Sequence, residues 1–121
     1  MKKKTSEKSK LVKKYLEDRS WKDYKIALGH AKRGRGIYVL YKGNKIYYIG
    51  LSKASLRGRL RQHALHDRHK GKWDSFSFYQ IGKTKYIKDI ESLFLRVFRP
   101  PGNRVVGKFN RRKYDLSRKI K

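Results

Sequence analysis

The chain of 121 residues carries 35 Lys and Arg against 9 Asp and Glu, contains no Cys, and has a formal net charge of +26. This length fits one domain around one core, and the absence of Cys excludes disulfides and thiolate-bound metals. So many positive side chains repel one another in a compact chain. We therefore expect a polyanion such as nucleic acid as the partner that offsets this repulsion.

The first predicted element is a basic helical extension over residues 1–33. Two groups of apolar residues recur there at helical spacing, and a Ser-x-x-Asp capping box lies at the start of the second group. The first group is Leu11, Val12, Tyr15 and Leu16, the box is Ser20 to Asp23, and the second group is Trp21, Tyr24 and Leu28. We therefore expect two short helices that pack on the core.

Residues 34–103 hold most of the apolar and aromatic side chains and are predicted to form the folded core. The predicted elements in chain order are strands over residues 37–41 and 46–49, a helix over 55–66, a strand over 76–79 and a helix that begins at 84 and ends before Pro100. This order predicts an α+β fold, a small three-stranded antiparallel sheet flanked by helices. Residues 104–121 follow as a basic C-terminal tail with isolated apolar positions.

Glu91 is the most informative position of the second core helix. At about 100° per residue it lies within the apolar stripe that Ile87 and Phe94 help to form. A carboxylate placed there loses hydration, at a cost of several kcal/mol unless a cation or hydrogen-bond donors replace the water. Two interpretations stay open: an ion pair with Lys or Arg, or a metal ligand of the kind that Mg²⁺ takes together with waters and a phosphate.

Arg59 and His63 lie one turn apart on the first core helix, beside its apolar positions Leu56 and Leu60. An arginine and an imidazole in this arrangement can clamp a phosphoryl oxygen and move a proton. A solvated phosphate-binding face explains the same pattern, so both interpretations stay open.

Three histidines recur at every third residue around the end of this helix. They are His63, His66 and His69, with Asp67 between them. The spacing could suggest zinc, but the chain offers no Cys and no distant fourth ligand, so no structural or catalytic zinc site is expected.

The predicted hairpin carries Gly36-Ile37-Tyr38 and, after nine intervening residues, Tyr48-Ile49-Gly50. This pattern resembles the signature of the GIY-YIG nuclease family, and the residues that follow are similar to the family in order. They are Arg59, His63, Glu91 and, after Pro100-Pro101-Gly102, Asn103. The resemblance covers about residues 34–103. Leu51 departs from the Lys that follows the second motif in excision-repair members, so the subfamily, and with it a role in DNA repair or in a mobile element, stays open.

The resemblance implies a metal-dependent endonuclease that hydrolyses phosphodiester bonds in DNA. The implied catalytic residues are Tyr38, Tyr48, Arg59, His63, Glu91 and Asn103. Among them Glu91 would hold one Mg²⁺ or Mn²⁺, Arg59 would bind a non-bridging phosphate oxygen, and Asn103 would orient the site. Tyr38 is the leading candidate to deprotonate the attacking water, although a phenol with a pKa of about 10 needs help to act as a base. Whether Tyr38, Tyr48 or His63 is the base stays open.

Basic side chains in and after the core are predicted to hold the nucleic-acid backbone. They are Lys53, Arg57, Arg61, His66, Arg104, Lys108, Arg111 and Arg112. The charge outside residues 36–103 amounts to +16 of the +26, so the extensions are expected to hold the substrate. The alternatives are a non-catalytic basic nucleic-acid-binding protein with an ion-paired Glu91, and an RNA-directed nuclease.

Compartment and assembly follow from what the sequence lacks. No apolar run approaches the roughly 20 residues of a membrane span, and no apolar segment of a signal peptide follows the cationic N-terminus. We therefore expect a cytoplasmic or nucleoid-associated protein that does not enter membranes. A monomer is expected, and the sequence indicates no protein partner.

Overall fold

A computed structural model of the chain describes residues 11–23, 35–53 and 56–105, apart from the side chain of Arg57. The strands are β1 (Val12–Ser20), β2 (Gly36–Lys42), β3 (Lys45–Ser52) and β4 (Ser75–Ile81), and the helices are α1 (Leu56–Leu65) and α2 (Ile87–Phe98). Short 3₁₀ helices cover Trp21–Asp23 and Thr84–Tyr86. Residues 106–121 of the predicted tail and residues 24–34, which include Tyr24 and Leu28 of the second predicted helix, lie outside the described residues.

The four strands form one antiparallel sheet in the order β1-β4-β2-β3. The predicted α+β class and the order hairpin, helix, strand, helix are confirmed for residues 36–98. The hairpin turns at Gly43, whose φ of 60° suits the first position of a two-residue turn. The central strand β2 is hydrogen-bonded on both sides, which fixes the position of its side chains.

The sheet separates two hydrophobic clusters because side chains alternate between its faces. One cluster, on the α1 side, contains Tyr38, Leu40, Leu56, Leu60, Trp73, Phe76 and Phe78. The other, on the α2 side, contains Ile37, Val39, Ile49, Ile81, Ile87 and Leu95. Each fully buried Leu, Ile or Phe contributes about 1.5–3 kcal/mol, so both faces of β2 stabilise the hairpin.

Residues 12–20 form β1 and not the predicted helix, so the prediction of three strands with an N-terminal helix is wrong in this region. β1 pairs with β4 and supplies hydrogen-bond partners to a strand edge that would otherwise be open. Val12 and Leu16 are four residues apart, a spacing that one face of a helix and one face of a strand share. A register shift after Val12 places Val12 with the α2-side cluster and Leu16 with the α1-side cluster.

The helix α2 ends at Phe98, as the sequence predicted from the prolines that follow. Arg99 adopts a left-handed conformation with φ of 44°, and its N–H bonds the Leu95 carbonyl, which closes the last turn. The apolar stripe of α2 is only partly covered, since Val97 is 64% and Phe98 51% exposed. No helix in the described ranges has the length and hydropathy needed to cross a membrane.

Candidate active site

Tyr38 lies in the middle of the sheet and is 1% exposed. Its partner on β3 is Gly50, where a Cβ atom would lie 2.4 Å from both Cζ and Oη of Tyr38. A Cβ on Gly36 would lie 2.3 Å from the Phe78 ring. Both glycines of the paired motif are therefore required by the close approach of an aromatic ring to the backbone.

Gly50→Ala is expected to destabilise the protein by about 1–3 kcal/mol, the usual cost of overpacking a core. The added methyl group would meet the Tyr38 ring and displace it. Urea unfolding measures this loss. The control is Gly71→Asn, because a Cβ on Gly71 meets nothing within 4 Å and its φ of 76° lies at the third position of a turn closed by Lys72 N–H and the His69 carbonyl, where Asn is also accepted. An equal loss of stability in the two variants would contradict the packing explanation.

A chain of hydrogen bonds runs from Tyr38 through His63 to Asp67. Tyr38 Oη lies 2.8 Å from His63 Nε2, and His63 Nδ1 lies 2.6 Å from Asp67 Oδ2. The last turns of α1 place His63 against the sheet, where it is 4% exposed. Asp67 follows the end of α1, and its Oδ1 accepts the backbone N–H of His69 at 2.9 Å. Both ring nitrogens of His63 therefore have partners.

A second tyrosine–histidine pair lies beside the first. Tyr47 Oη is 2.8 Å from Nδ1 of the buried His69. The Tyr48 ring contacts both imidazoles, with centroids 5.3 Å from His63 and 4.6 Å from His69. A register shift in the hairpin lets the consecutive residues Tyr47 and Tyr48 both pack against the α1-side cluster. Tyr47 was not among the catalytic residues that the sequence implied.

Burial controls the charge states in this cluster. It raises the pKa of Tyr38 far above the ordinary phenol value and lowers the pKa of His63. It also lowers the pKa of His69 to about 4, so both imidazoles are neutral at pH 7. Burial alone would raise the pKa of Asp67, but hydrogen bonds from His69 and His63 outweigh it and the net pKa is lowered. The resting cluster thus contains a neutral phenol, neutral imidazoles and an ionised carboxylate.

Arg59 connects the electrostatics of residues from three elements. It is exposed on α1, and its positive charge lowers the pKa of Tyr38, of His63 and of Glu91. For each of these groups burial has the larger effect. One charge can perturb groups on β2, α1 and α2 together only when they converge around it.

Glu91 is half-buried on α2. Burial raises the pKa of its carboxyl group, and the positive charges of Lys88, Lys53 and Arg59 oppose that effect. Among the side chains that the structure describes, no Lys, Arg or His nitrogen lies within 4.0 Å of this carboxylate. The ion pair that the sequence left open is therefore not formed within the described residues.

Asn103 is held by the backbone of β3. Its Oδ1 accepts the Ile49 N–H at 2.9 Å, and its Nδ2 donates to the Ile49 carbonyl at 2.8 Å. Gly102 lies against Tyr47, and Arg68 Nη2 donates to the Gly102 carbonyl at 2.8 Å. Asn103 thus joins the segment after α2 to the second motif strand, and both ends of its amide are occupied by that backbone.

The predicted backbone-binding residues are placed only in part. Lys53, Arg61, His66 and Arg104 are exposed, and Lys53 is close enough to Glu91 to lower its pKa. The side chain of Arg57 and the residues Lys108, Arg111 and Arg112 lie outside the described part of the chain.

The structure brings His63, Asp67 and His69 together but not His66. One candidate ligand atom from each of the three lies within 4.8 Å of the others, a grouping that could hold a metal ion. Each of these side chains is already engaged in hydrogen bonds. These hydrogen bonds occupy both nitrogens of His63, both oxygens of Asp67 and one nitrogen of His69, its Nδ1.

Asp67 and the Tyr47–His69 pair are the residues whose roles sequence reasoning missed. Asp67 follows His63 by four residues, a spacing that brings side chains together near a helix end, and this signal was available. No comparable signal pairs Tyr47 with His69, because they are 22 residues apart and meet only after α1 has packed on the sheet.

Comparison with known proteins gives one match. A family model described as the GIY-YIG catalytic domain matches residues 35–104, which is more than half of the chain. No curated protein and no solved structure matches the chain.

Proposed function

Because this chain belongs to the GIY-YIG family, whose members are endonucleases, we propose that it hydrolyses phosphodiester bonds in DNA with the help of one divalent metal ion. The observation that carries the proposal is the convergence around Arg59. A guanidinium, a carboxylate and a proton-transfer pair, contributed by Arg59, Glu91 and Tyr38–His63, lie within electrostatic reach of one another. These are the groups that phosphodiester hydrolysis needs.

Glu91 fits the role of metal ligand. Its carboxylate is half-buried and has no cation within ion-pair distance among the described side chains, so no ion pair with any of these side chains offsets its desolvation. A hard divalent ion such as Mg²⁺ or Mn²⁺ prefers oxygen ligands of this kind, with waters and substrate phosphate completing its shell. When bound, the ion supplies charge neutralisation at the scissile phosphate and at the leaving 3′ oxygen.

Tyr38 and His63 supply the proton transfer. Burial disfavours a free phenolate at Tyr38, so the phenol accepts a proton from the attacking water only as it passes its own proton to His63 Nε2, 2.8 Å away. The neutral state of His63 at pH 7 leaves it able to accept that proton. Water oxygen then bonds to phosphorus while the bond from phosphorus to the 3′ oxygen breaks.

Arg59 and Tyr48 hold the substrate in this scheme. Arg59 is exposed on α1 and binds a non-bridging oxygen that gains charge in the transition state. Tyr48 lies next to the Tyr38 and His63 rings and donates a hydrogen bond to the phosphate or the attacking water. Asn103 supports the site through its two bonds to Ile49 without contacting the substrate.

The full chain, incubated with duplex DNA, branched DNA and structured RNA in Mg²⁺ or Mn²⁺, tests the proposal. We expect DNA strands to be cut with either metal and no cutting when EDTA removes it. DNA binding without cleavage in any metal would favour the non-catalytic alternative. Cleavage of RNA alone would favour the RNA-directed nuclease.

A further inference from the structure

Asp67 is the carboxylate of the site that no role above accounts for. Its side chain is 22% exposed, and each oxygen is committed, Oδ2 to His63 Nδ1 at 2.6 Å and Oδ1 to the His69 N–H at 2.9 Å. Hydrogen bonds to an ionised partner are shorter than neutral ones, and the bond between His63 and Asp67 is short. The backbone N–H of His69 therefore holds the Asp67 carboxylate in place while that carboxylate contacts His63.

We infer that Asp67 is a positioning residue that fixes the tautomer of His63, so that Nδ1 carries the ring proton and Nε2 is free to accept the proton of Tyr38. This inference rests on the proposed function. An ionised carboxylate can only accept hydrogen bonds, so the nitrogen facing Asp67 must be the N–H. The other nitrogen then accepts, and Tyr38 Oη donates to it across 2.8 Å.

Packing against neighbouring side chains sets the orientation of the His63 ring. Asp67 therefore controls the tautomer of the ring and not its orientation. The imidazole is 4% exposed and contacts the rings of Tyr38, Tyr48 and His69, with centroids 5.7, 5.3 and 4.9 Å away. The backbone carbonyl of His63 accepts the Trp73 indole N–H at 3.2 Å, which holds the main chain at this position. The ring orientation is thus set by neighbours on several sides, whereas only Asp67 contacts Nδ1 among the described residues.

These groups and solvent together account for the protons of the step, because the leaving 3′ oxygen takes one proton from solvent as its bond to phosphorus breaks. Water gives one proton to Tyr38 Oη as its oxygen bonds to phosphorus, and Tyr38 gives its phenol proton to His63 Nε2. The imidazolium that forms carries its charge next to the Asp67 carboxylate, which stabilises it. Loss of that proton to solvent returns His63 to its starting tautomer.

Asp67→Asn tests this inference. The Asn Oδ1 can still accept the His69 N–H, but its Nδ2 donates to His63 Nδ1 and so forces the proton onto Nε2. We expect kcat for DNA cleavage to fall by about 100-fold, within the range of lost acid–base catalysis, with KM unchanged. Nitrogen-15 NMR of the imidazole is expected to show Nδ1–H in the parent and Nε2–H in the variant.

Asp74→Asn is the matched control, because Asp74 accepts the Gly43 N–H at the hairpin turn, and we expect parental kcat for it. Parental kcat in Asp67→Asn despite a changed tautomer would overturn the inference, as would Nε2–H in the parent. The parental NMR tests the tautomer even when the variant does not fold. The parental NMR also separates the tautomer inference from the proposed nuclease function. A parent that shows Nδ1–H but cleaves no substrate would contradict the nuclease function and leave the tautomer assignment standing.

Discussion

Glu91→Gln is expected to lower the rate of metal-dependent DNA cleavage by at least about 10³-fold, because several kcal/mol of transition-state stabilisation depend on the ion it holds. Gln has the same shape but no charge, so it would hold a divalent ion far less well. The measurement is the single-turnover rate at saturating DNA over a range of Mg²⁺ concentrations. A rate that recovers at high Mg²⁺ would indicate weakened ion binding, which agrees with the assignment.

The stability of the same variant separates the two roles that the sequence left open for Glu91. Removing one partner of a buried ion pair costs about 3–5 kcal/mol, because the other charge is left without compensation. Burial raises the pKa of Glu91 and no cation lies within 4.0 Å of it among the described side chains, so without metal we expect no such loss in Glu91→Gln.

Asp89→Asn is the control for both measurements. Asp89 is an exposed carboxylate in the first turn of the same helix, so its loss is expected to cost less than about 1 kcal/mol and to leave cleavage unchanged. Parental cleavage by Glu91→Gln would remove Glu91 from the metal site. A large loss of metal-free stability would instead favour the ion pair.

Much of the fold was predictable because the core elements have strong local patterns. The hairpin has β-branched and aromatic runs around a turn with glycine, and α2 has a helical apolar period ended by prolines. β1 was not predictable in the same way. Its partly buried residues Val12 and Leu16 fit a helical face, and only the open edge of β4 makes the extended conformation favourable.

The site residues also differ in how far the sequence could predict them. Glu91 was identified because it is a carboxylate in an apolar stripe, and Arg59 and Tyr38 were identified from motif positions. Each of these signals lies within a single helix or strand. The role of His69 depends on a contact that forms only when the loop after α1 packs against the hairpin. The contact between His63 and Asp67 is local, and their spacing of four residues could have indicated it. Asn103 was assigned to orient the site, and its two bonds to Ile49 show the backbone through which it could do so.

Arg59→Ala is the second change for which we expect a large effect, a fall in kcat of about 10²–10³-fold, the usual result of removing one transition-state clamp. The side chain is exposed, so we expect stability to change by less than about 0.5 kcal/mol. Arg59→Lys should recover only part of the rate, because Lys keeps the charge but lacks the planar fork that binds a phosphate through two donors. Single-turnover rates of the three proteins at saturating DNA measure these effects.

The pH dependence of Arg59→Ala gives an independent test with a defined sign. The charge of Arg59 lowers the pKa of His63, so its removal raises that pKa. His63 then becomes protonated at a higher pH and can no longer accept the proton of Tyr38, so the acid limb of the rate profile moves to higher pH. A profile that keeps its acid limb, or moves it to lower pH, would contradict the coupling between Arg59 and His63.

Arg61→Ala is the control that separates the clamp from a general phosphate-binding face. Arg61 is exposed on the same helix two residues later, so its loss should weaken DNA binding and reduce the salt dependence by about one phosphate contact. At saturating DNA its cleavage rate should equal that of the parent. If this face of α1 only bound phosphate, Arg59→Ala and Arg61→Ala would behave alike. Both variants would lose affinity for DNA, and neither would lose cleavage rate at saturating DNA. A selective loss of rate in Arg59→Ala therefore assigns to Arg59 an interaction that strengthens in the transition state.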